Sequence, residues 1–203
     1  MKIVYVFHSL STMGGVQRII TEKANYLSHQ FGYDIYIICC IQNPNTPNFY
    51  PLSSNIKQII LCIPYYSQYK YKYPQRLWYK YKLNRLLHRE ITQTVQKIDP
   101  DILIGIGNYE ANLISTIACK AIKIIECHEA RFFMSDYRGE RSVLSKIFMI
   151  YYREKYYYTI EKNADMVITL TDQAKELWKK SRRVKVIPNF SSIQVRKLSN
   201  CES

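Results

Sequence analysis

Met13-Gly14-Gly15-Val16-Gln17-Arg18 decides how this chain folds. Before it stands a strand-length apolar run, Ile3-Val4-Tyr5-Val6-Phe7. After it a helical pattern runs from Val16 to His29, with Val16, Ile19, Ile20, Ala24 and Leu27 at helical spacing. Strand, glycine pair and helix, in that order, build an anion site. Glycine lets the backbone come close to a ligand and adopt φ > 0 without a Cβ penalty. The first amides of the helix have no internal partner and lie at the positive end of its dipole. A phosphate or carboxylate fits there. The same residues also suit a plain β-to-α turn with no ligand, since short connections of this kind are common.

Working outward, periodicity predicts strands and helices in alternation. Gly32 falls where a helix C-terminal glycine belongs. Strands are expected at Asp34–Ile41 and Ile56–Ile63, separated by a loop over 42–55 with three prolines and four asparagines. A helix is expected from Gln75 to Ile98, broken by Asp99-Pro100-Asp101 before a strand at Ile102–Ile106. Asn108-Tyr109-Glu110 reads as a loop, Ala111–Ala121 as a helix and Ile122–Glu126 as a strand. Then come a loop at His128–Gly139, a helix at Ser142–Asn163 and a strand at Met166–Leu170. A short helix follows at Asp172–Lys179, with Thr171 as N-cap, and a last strand at Val184–Ile187, stopped by Pro188-Asn189. The strands are near-continuous apolar runs, as in a parallel sheet covered on both faces. Right-handed crossovers then give an α/β fold, a Rossmann-like doubly wound parallel sheet. Ligands bind at the carboxyl ends of such strands. Three loops there carry chemistry: Ser9–Arg18, Gly107–Glu110 and Cys127–Arg131.

The 203 residues suffice for one well-packed domain. No run of about 18 uncharged apolar residues occurs, and the N-terminus reads as a strand rather than a signal peptide, so a cytoplasmic protein is expected. The net charge of +13 is concentrated in two aromatic tracts, Tyr65–Lys82 and Arg131–Lys162. Tyrosine suits a membrane–water interface, and neighbouring Lys and Arg favour anionic headgroups. An anionic membrane surface is therefore an expected partner; an ordinary solvated face with biased composition gives the same pattern. No nucleic-acid motif accompanies the charge, and no nucleic acid is expected as a partner.

Several chemistries are excluded. A dinucleotide dehydrogenase needs G-x-G-x-x-G and a carboxylate after the second strand, whereas here the glycines are two and that strand ends Cys39-Cys40-Ile41-Gln42. No GxxxxGK[ST] occurs. The six cysteines show neither CxxC nor zinc spacing and read as reduced and mostly buried, and no metal or cofactor is expected.

Taken together, these segments resemble the N-terminal domain of family 4 glycosyltransferases, whose GT-B fold sets two Rossmann-like domains face to face. KIVYVFHSLSTMGGVQRIITEKANYLSHQFGYDIYII is similar to that family's first strand, glycine loop, first helix and second strand. IIECHEARF resembles the segment carrying a histidine that faces the cleft, and ADMVITLTDQAKELWKK with VKVIPNF resembles the last strand, Thr-capped helix and exit to the interdomain linker. Gln17 departs from the family, which often has Glu there. The family's Glu-x7-Glu pair is missing; Glu154 and Glu161 lie one residue too close. The expectation is one domain over residues 1–190, a mobile tail or linker start over 191–203, and no C-terminal donor-binding domain.

The resemblance implies roles for residues. Gly14 and Gly15 match the loop whose amides approach the donor phosphate, and Arg18 matches the basic residue after it. His128 matches the cleft histidine that contacts the donor sugar, and is the one residue assigned to catalysis. Asn108, Tyr109 and Glu110 are placed by the strand-end rule alone as substrate-binding. The implied reaction transfers a sugar from a nucleotide diphosphate sugar to a glycan or lipid-linked acceptor, without a metal, in cell-envelope polysaccharide synthesis at the inner face of the cytoplasmic membrane. The chain alone is expected to be inactive. A non-catalytic α/β module that pairs with a separate domain is the alternative.

Overall fold

The computed structural model describes residues 1–72, 74–106, 108–128, 143–178, 181 and 183–190. Seven strands form one parallel sheet: β1 Lys2–Phe7, β2 Asp34–Cys39, β3 Lys57–Ile60, β4 Ile102–Ile106, β5 Ile122–Cys127, β6 Met166–Thr169 and β7 Val184–Val186. Their order is β3-β2-β1-β4-β5-β6-β7. The chain thus builds outward from β1 in one direction, then returns to β1's other side and builds the opposite way. The switch in order falls between β1 and β4, where a crevice opens at the carboxyl ends.

Alternation along β1 shows how both faces are covered. Val4 and Val6 join the core beneath helices α2 (Gln75–Ile98), α3 (Asn108–Ser115) and α4 (Val143–Asn163). Ile3, Tyr5 and Phe7 join the second core, which packs against Ile20 and Ala24 of α1 (Gly15–Phe31). On α2, Leu83, Leu87, Ile91, Val95 and Ile98 are buried, one turn apart, while the first two turns are almost wholly exposed. Gly105 on β4 brings α3 close, since a Cβ there would sit 2.5 Å from Ile114 Cδ1 and 3.2 Å from Ala111 Cα.

The helix ends follow their sequence signals. Gly32 takes φ 62 and its amide, with that of Tyr33, closes the last carbonyls of α1. Thr171 Oγ1 accepts from Ala174 N at 3.1 Å and caps α5 (Asp172–Glu176). Asp99 ends α2 in the left-handed region, φ 49, immediately before Pro100.

Some expectations need correction. β2, β3 and β6 are shorter than their apolar runs; just past the strand ends Cys40 N still donates to Phe7 O and Leu61 N to Cys39 O, while Ile41 N and Ile63 N turn to His8 O and Cys40 O. Asn108, Tyr109 and Glu110 are not a loop. They are the first turn of α3, which ends at Ser115, short of the expected Ala121. Among the cysteines, Cys39 and Cys40 are buried, but Cys62 is exposed. Residues 129–139 of the expected loop, much of the Arg131–Lys162 tract, Gly107 and the tail 191–203 lie outside the described residues.

Candidate functional site: a cleft between α1 and the end of β5

Gly14 and Gly15 start α1. Gly14 is the N-cap in extended conformation, φ −175, and no side chain caps the helix. Among the described residues, Gly32 is the sole glycine with positive φ. The glycine pair is thus not there for a left-handed turn, contrary to one half of the sequence argument. Space is the reason instead. A Cβ on Gly14 would collide with Oε1 of Gln17, while a Cβ on Gly15 would meet nothing within 4 Å. Gly15 faces open space, and that space is the cleft.

The cleft has a volume of about 320 Å³ and is lined by Gly15, Val16, Arg18, Ile19, His128, Asn189 and Phe190. Three separate parts of the chain meet in it: the first turn of α1, the residue after β5, and the segment just beyond β7. The structure therefore brings Gly15, Arg18 and His128 together. Gly14 adjoins them as N-cap. Glu110 is not among the lining residues; it is 6 % exposed, on the first turn of α3. Its charge lies near Cys40 and Tyr156, helping burial to push both of those groups up. Asn108 and Tyr109 open the same helix.

The loop before the cleft is fastened by side-chain amides. Gln17 Nε2 donates to Thr12 Oγ1 at 3.0 Å. Gln42 Oε1 accepts from Leu10 N at 2.9 Å, and its Nε2 donates to Asn48 Oδ1 at 2.9 Å. Gln42 is 2 % exposed. At the position after β2 where a dehydrogenase would hold a ribose, this chain carries a buried amide whose work is to hold the β1–α1 loop.

Charge near the cleft is arranged in one ion pair and one three-member network. Arg18 Nε meets Glu22 Oε1 at 2.7 Å across one helical turn, with Arg18 37 % exposed at the surface. Deeper, Lys23 Nζ on α1 meets Glu126 Oε2 at 2.7 Å, and His128 Nε2 lies 3.4 Å from the same oxygen. Burial alone would raise the Glu126 carboxyl; the His128 contact and the Lys23 ammonium outweigh it and hold the group below its ordinary value. The charge of Glu126 and, above all, burial push the phenol of Tyr5 up, so it stays neutral. His8, at the end of β1, packs on Phe7 with centroids 4.0 Å apart, and burial lowers its pKa.

Glu126, Lys23, Asn189 and Phe190 were missed as site residues from sequence. Glu126 and His128 carried one available signal: residues two apart in a strand share a face. Lys23 needed the register of α1 against β5, which no local pattern encodes.

A larger depression, about 880 Å³, runs along α2 and is lined by residues including Trp78, Tyr81, Lys82, Arg85 and Arg89. It lies on a helix flank, not at strand ends. Lys82 Nζ sits 3.5 Å above the Trp78 ring, and Arg76 Cζ 4.2 Å from the Tyr69 ring. Trp78, Tyr81, Tyr66 and Tyr69 are all more than half exposed. No helix among the described residues is long and apolar enough to cross a membrane.

The fold and its cleft define a class. Sucrose-phosphate synthase from Thermosynechococcus elongatus superposes with a TM-score of 0.63 at 13% identity, over 92% of this chain and 47% of that one. The apo lipopolysaccharide outer core galactosyltransferase WaaB matches at 0.60, 14% identity, 96% and 47%. Phytolacca americana UGT2, complexed with UDP-2-fluoro-glucose and pterostilbene, matches at 0.59, 13% identity, 95% and 55%. The chain thus has the fold of one Rossmann-like half of a GT-B glycosyltransferase and spans about half the length of these structures. The model described as Glycosyltransferase Family 4 matches residues 13–194, and the chain belongs to that family. No curated protein matches the sequence.

Proposed function

We propose that this chain forms the acceptor-side half of an enzyme that transfers a sugar from a nucleotide diphosphate sugar to a glycan or lipid-linked acceptor in cell-envelope polysaccharide synthesis. The observation that carries the proposal is the cleft itself, which joins Gly15 and Arg18 at a helix N-terminus to His128 at a strand end. The first amides of α1 are not capped by a side chain, and Gly15 borders open space, an arrangement suited to the diphosphate that leaves during transfer. Arg18 adds a cation at the same mouth. His128 supplies a polar contact for the donor sugar. Similar structures hold UDP-2-fluoro-glucose, UDP and UDP-glucose, which supports a nucleotide-sugar donor. The remaining donor contacts come from a second domain, and the half alone turns over no substrate.

The acceptor reading rests on the α2 flank. Exposed Trp78, Tyr81, Tyr66 and Tyr69 stand among Lys70, Lys72, Lys80, Lys82, Arg76 and Arg85. That combination suits an anionic membrane face, which supports a location at the inner face of the cytoplasmic membrane, where a lipid-linked acceptor would be presented.

The test is turnover by an enzyme in which this half is joined to a donor-binding domain, with a panel of nucleotide sugars. Gly15→Val and His128→Ala are expected to lower kcat about 100-fold or more, the usual effect of losing one transition-state contact. Folded variants with unchanged rates would move the site elsewhere.

A further inference from the structure

At the end of β5, one carboxylate oxygen serves two partners. Glu126 Oε2 is 2.7 Å from Lys23 Nζ and 3.4 Å from His128 Nε2. Glu126 and His128 are both nearly buried, at 7% and 5% side-chain exposure, and Lys23 is 26% exposed. Glu126 and His128 are two residues apart on a strand and its extension, so they lean to one side of the sheet. That side is the one covered by α1, which supplies Lys23. The network therefore ties α1 to β5 across the intervening strand β4, at the point where strand order switches.

An ionised carboxylate only accepts hydrogen bonds. The imidazole nitrogen facing it must carry the proton, which makes Nε2 the donor and leaves Nδ1 with a lone pair in the neutral ring. Nδ1 is buried and has no hydrogen-bond partner among the described residues. A buried acceptor left unmatched is costly. The ring bearing it is part of the wall of the cleft.

We infer that Glu126, anchored by Lys23, is a positioning residue that holds His128, a residue of the cleft wall, in the Nε2–H tautomer, with Nδ1 left as the ring's acceptor. The tautomer and its cause do not rest on the transferase reading. Without Glu126 the ring N–H has no fixed acceptor, and both tautomers become accessible. A purely structural role for Glu126 would change stability without selecting a tautomer.

Long-range proton–nitrogen NMR of the imidazole groups of the 203-residue chain reads this directly, at a pH where the ring is neutral. His128 is assigned by its loss in His128→Ala. The wild type is expected to show His128 as one Nε2–H tautomer. Glu126→Gln, whose amide oxygen accepts the same bond, keeps it, and Glu126→Leu gives a tautomer mixture. An Nδ1–H tautomer in the wild type overturns the inference, as does a pure Nε2–H tautomer in folded Glu126→Leu. The wild-type spectrum decides even where Glu126→Leu does not fold. Because no turnover is needed, a failed transferase reading leaves a correct tautomer standing, and a wrong tautomer leaves the family membership standing.

Discussion

Gln17 turns its side-chain amide back over Gly14, so that Oε1 occupies the place a Cβ on that glycine would take. The adjacent Gly15 has no such neighbour within 4 Å. Two glycines that read alike in sequence are therefore small for different reasons, one for internal packing and one for a cleft.

Alanine substitution separates the two. In Gly14→Ala the Gln17 amide must swing away, breaking its 3.0 Å bond to Thr12, for a loss of about 1 kcal/mol. Gly15→Ala removes no contact and replaces glycine in a helix, so its stability should be unchanged or up to ~1 kcal/mol higher. Urea unfolding of both variants measures this. A Gly15→Ala loss larger than that of Gly14→Ala would show that Gly15 is packed, not open.

Acid should act through Glu126. Its carboxyl lies below the ordinary value of 4.5 in the fold. A group lowered in this way contributes stability that is fully present above its unfolded pKa and is lost as pH falls through the folded one. Wild type should exceed Glu126→Gln by about 1.5–3 kcal/mol near neutral pH, the range for a hydrogen bond to a charged group. The gap should hold down to about pH 5 and close below 4.5. Thermal melting of both proteins across that range checks the sign. A gap that widens with acid contradicts the assigned network.

The exposed lysines at the start of α2 and just before it test the membrane reading. Lys70, Lys72, Lys80 and Lys82 are all exposed, so changing them to Gln should leave the fold intact. Each basic residue near an anionic surface adds roughly 1 kcal/mol. The fourfold variant should sediment with anionic vesicles at least tenfold more weakly than wild type, and raised salt should weaken both. Excess duplex DNA should not displace the wild type. Equal binding to neutral and anionic vesicles would remove the electrostatic account.

The sequence carried the fold because its strands are short, apolar and separated by clear punctuation. Gly32, Thr171 and Asp99-Pro100 each ended or began an element where their backbone chemistry requires. The Asn108-Tyr109-Glu110 segment was misread because polar residues after a strand resemble a loop, while a buried Glu110 in a helix's first turn depends on tertiary packing. At the cleft, Gly15, Arg18 and His128 were readable since each sits at an element boundary. Lys23 and Glu126 were not, because a charge inside an apolar strand finds its partner only when α1 is laid across the sheet. Asn189 and Phe190 were read as an exit, and only the fold returns them to the cleft.

The central claim is that the cleft of Gly15, Arg18 and His128 receives the diphosphate of a nucleotide sugar. Titrating UDP-glucose and related donors into the nitrogen-labelled chain, followed by amide NMR, tests it most directly. The account predicts shifts confined to Gly14–Ile19, His128 and Asn189–Phe190, absent along α2 and abolished by Gly15→Val. Shifts that fall elsewhere, or that persist unchanged in a folded Gly15→Val variant, would contradict it.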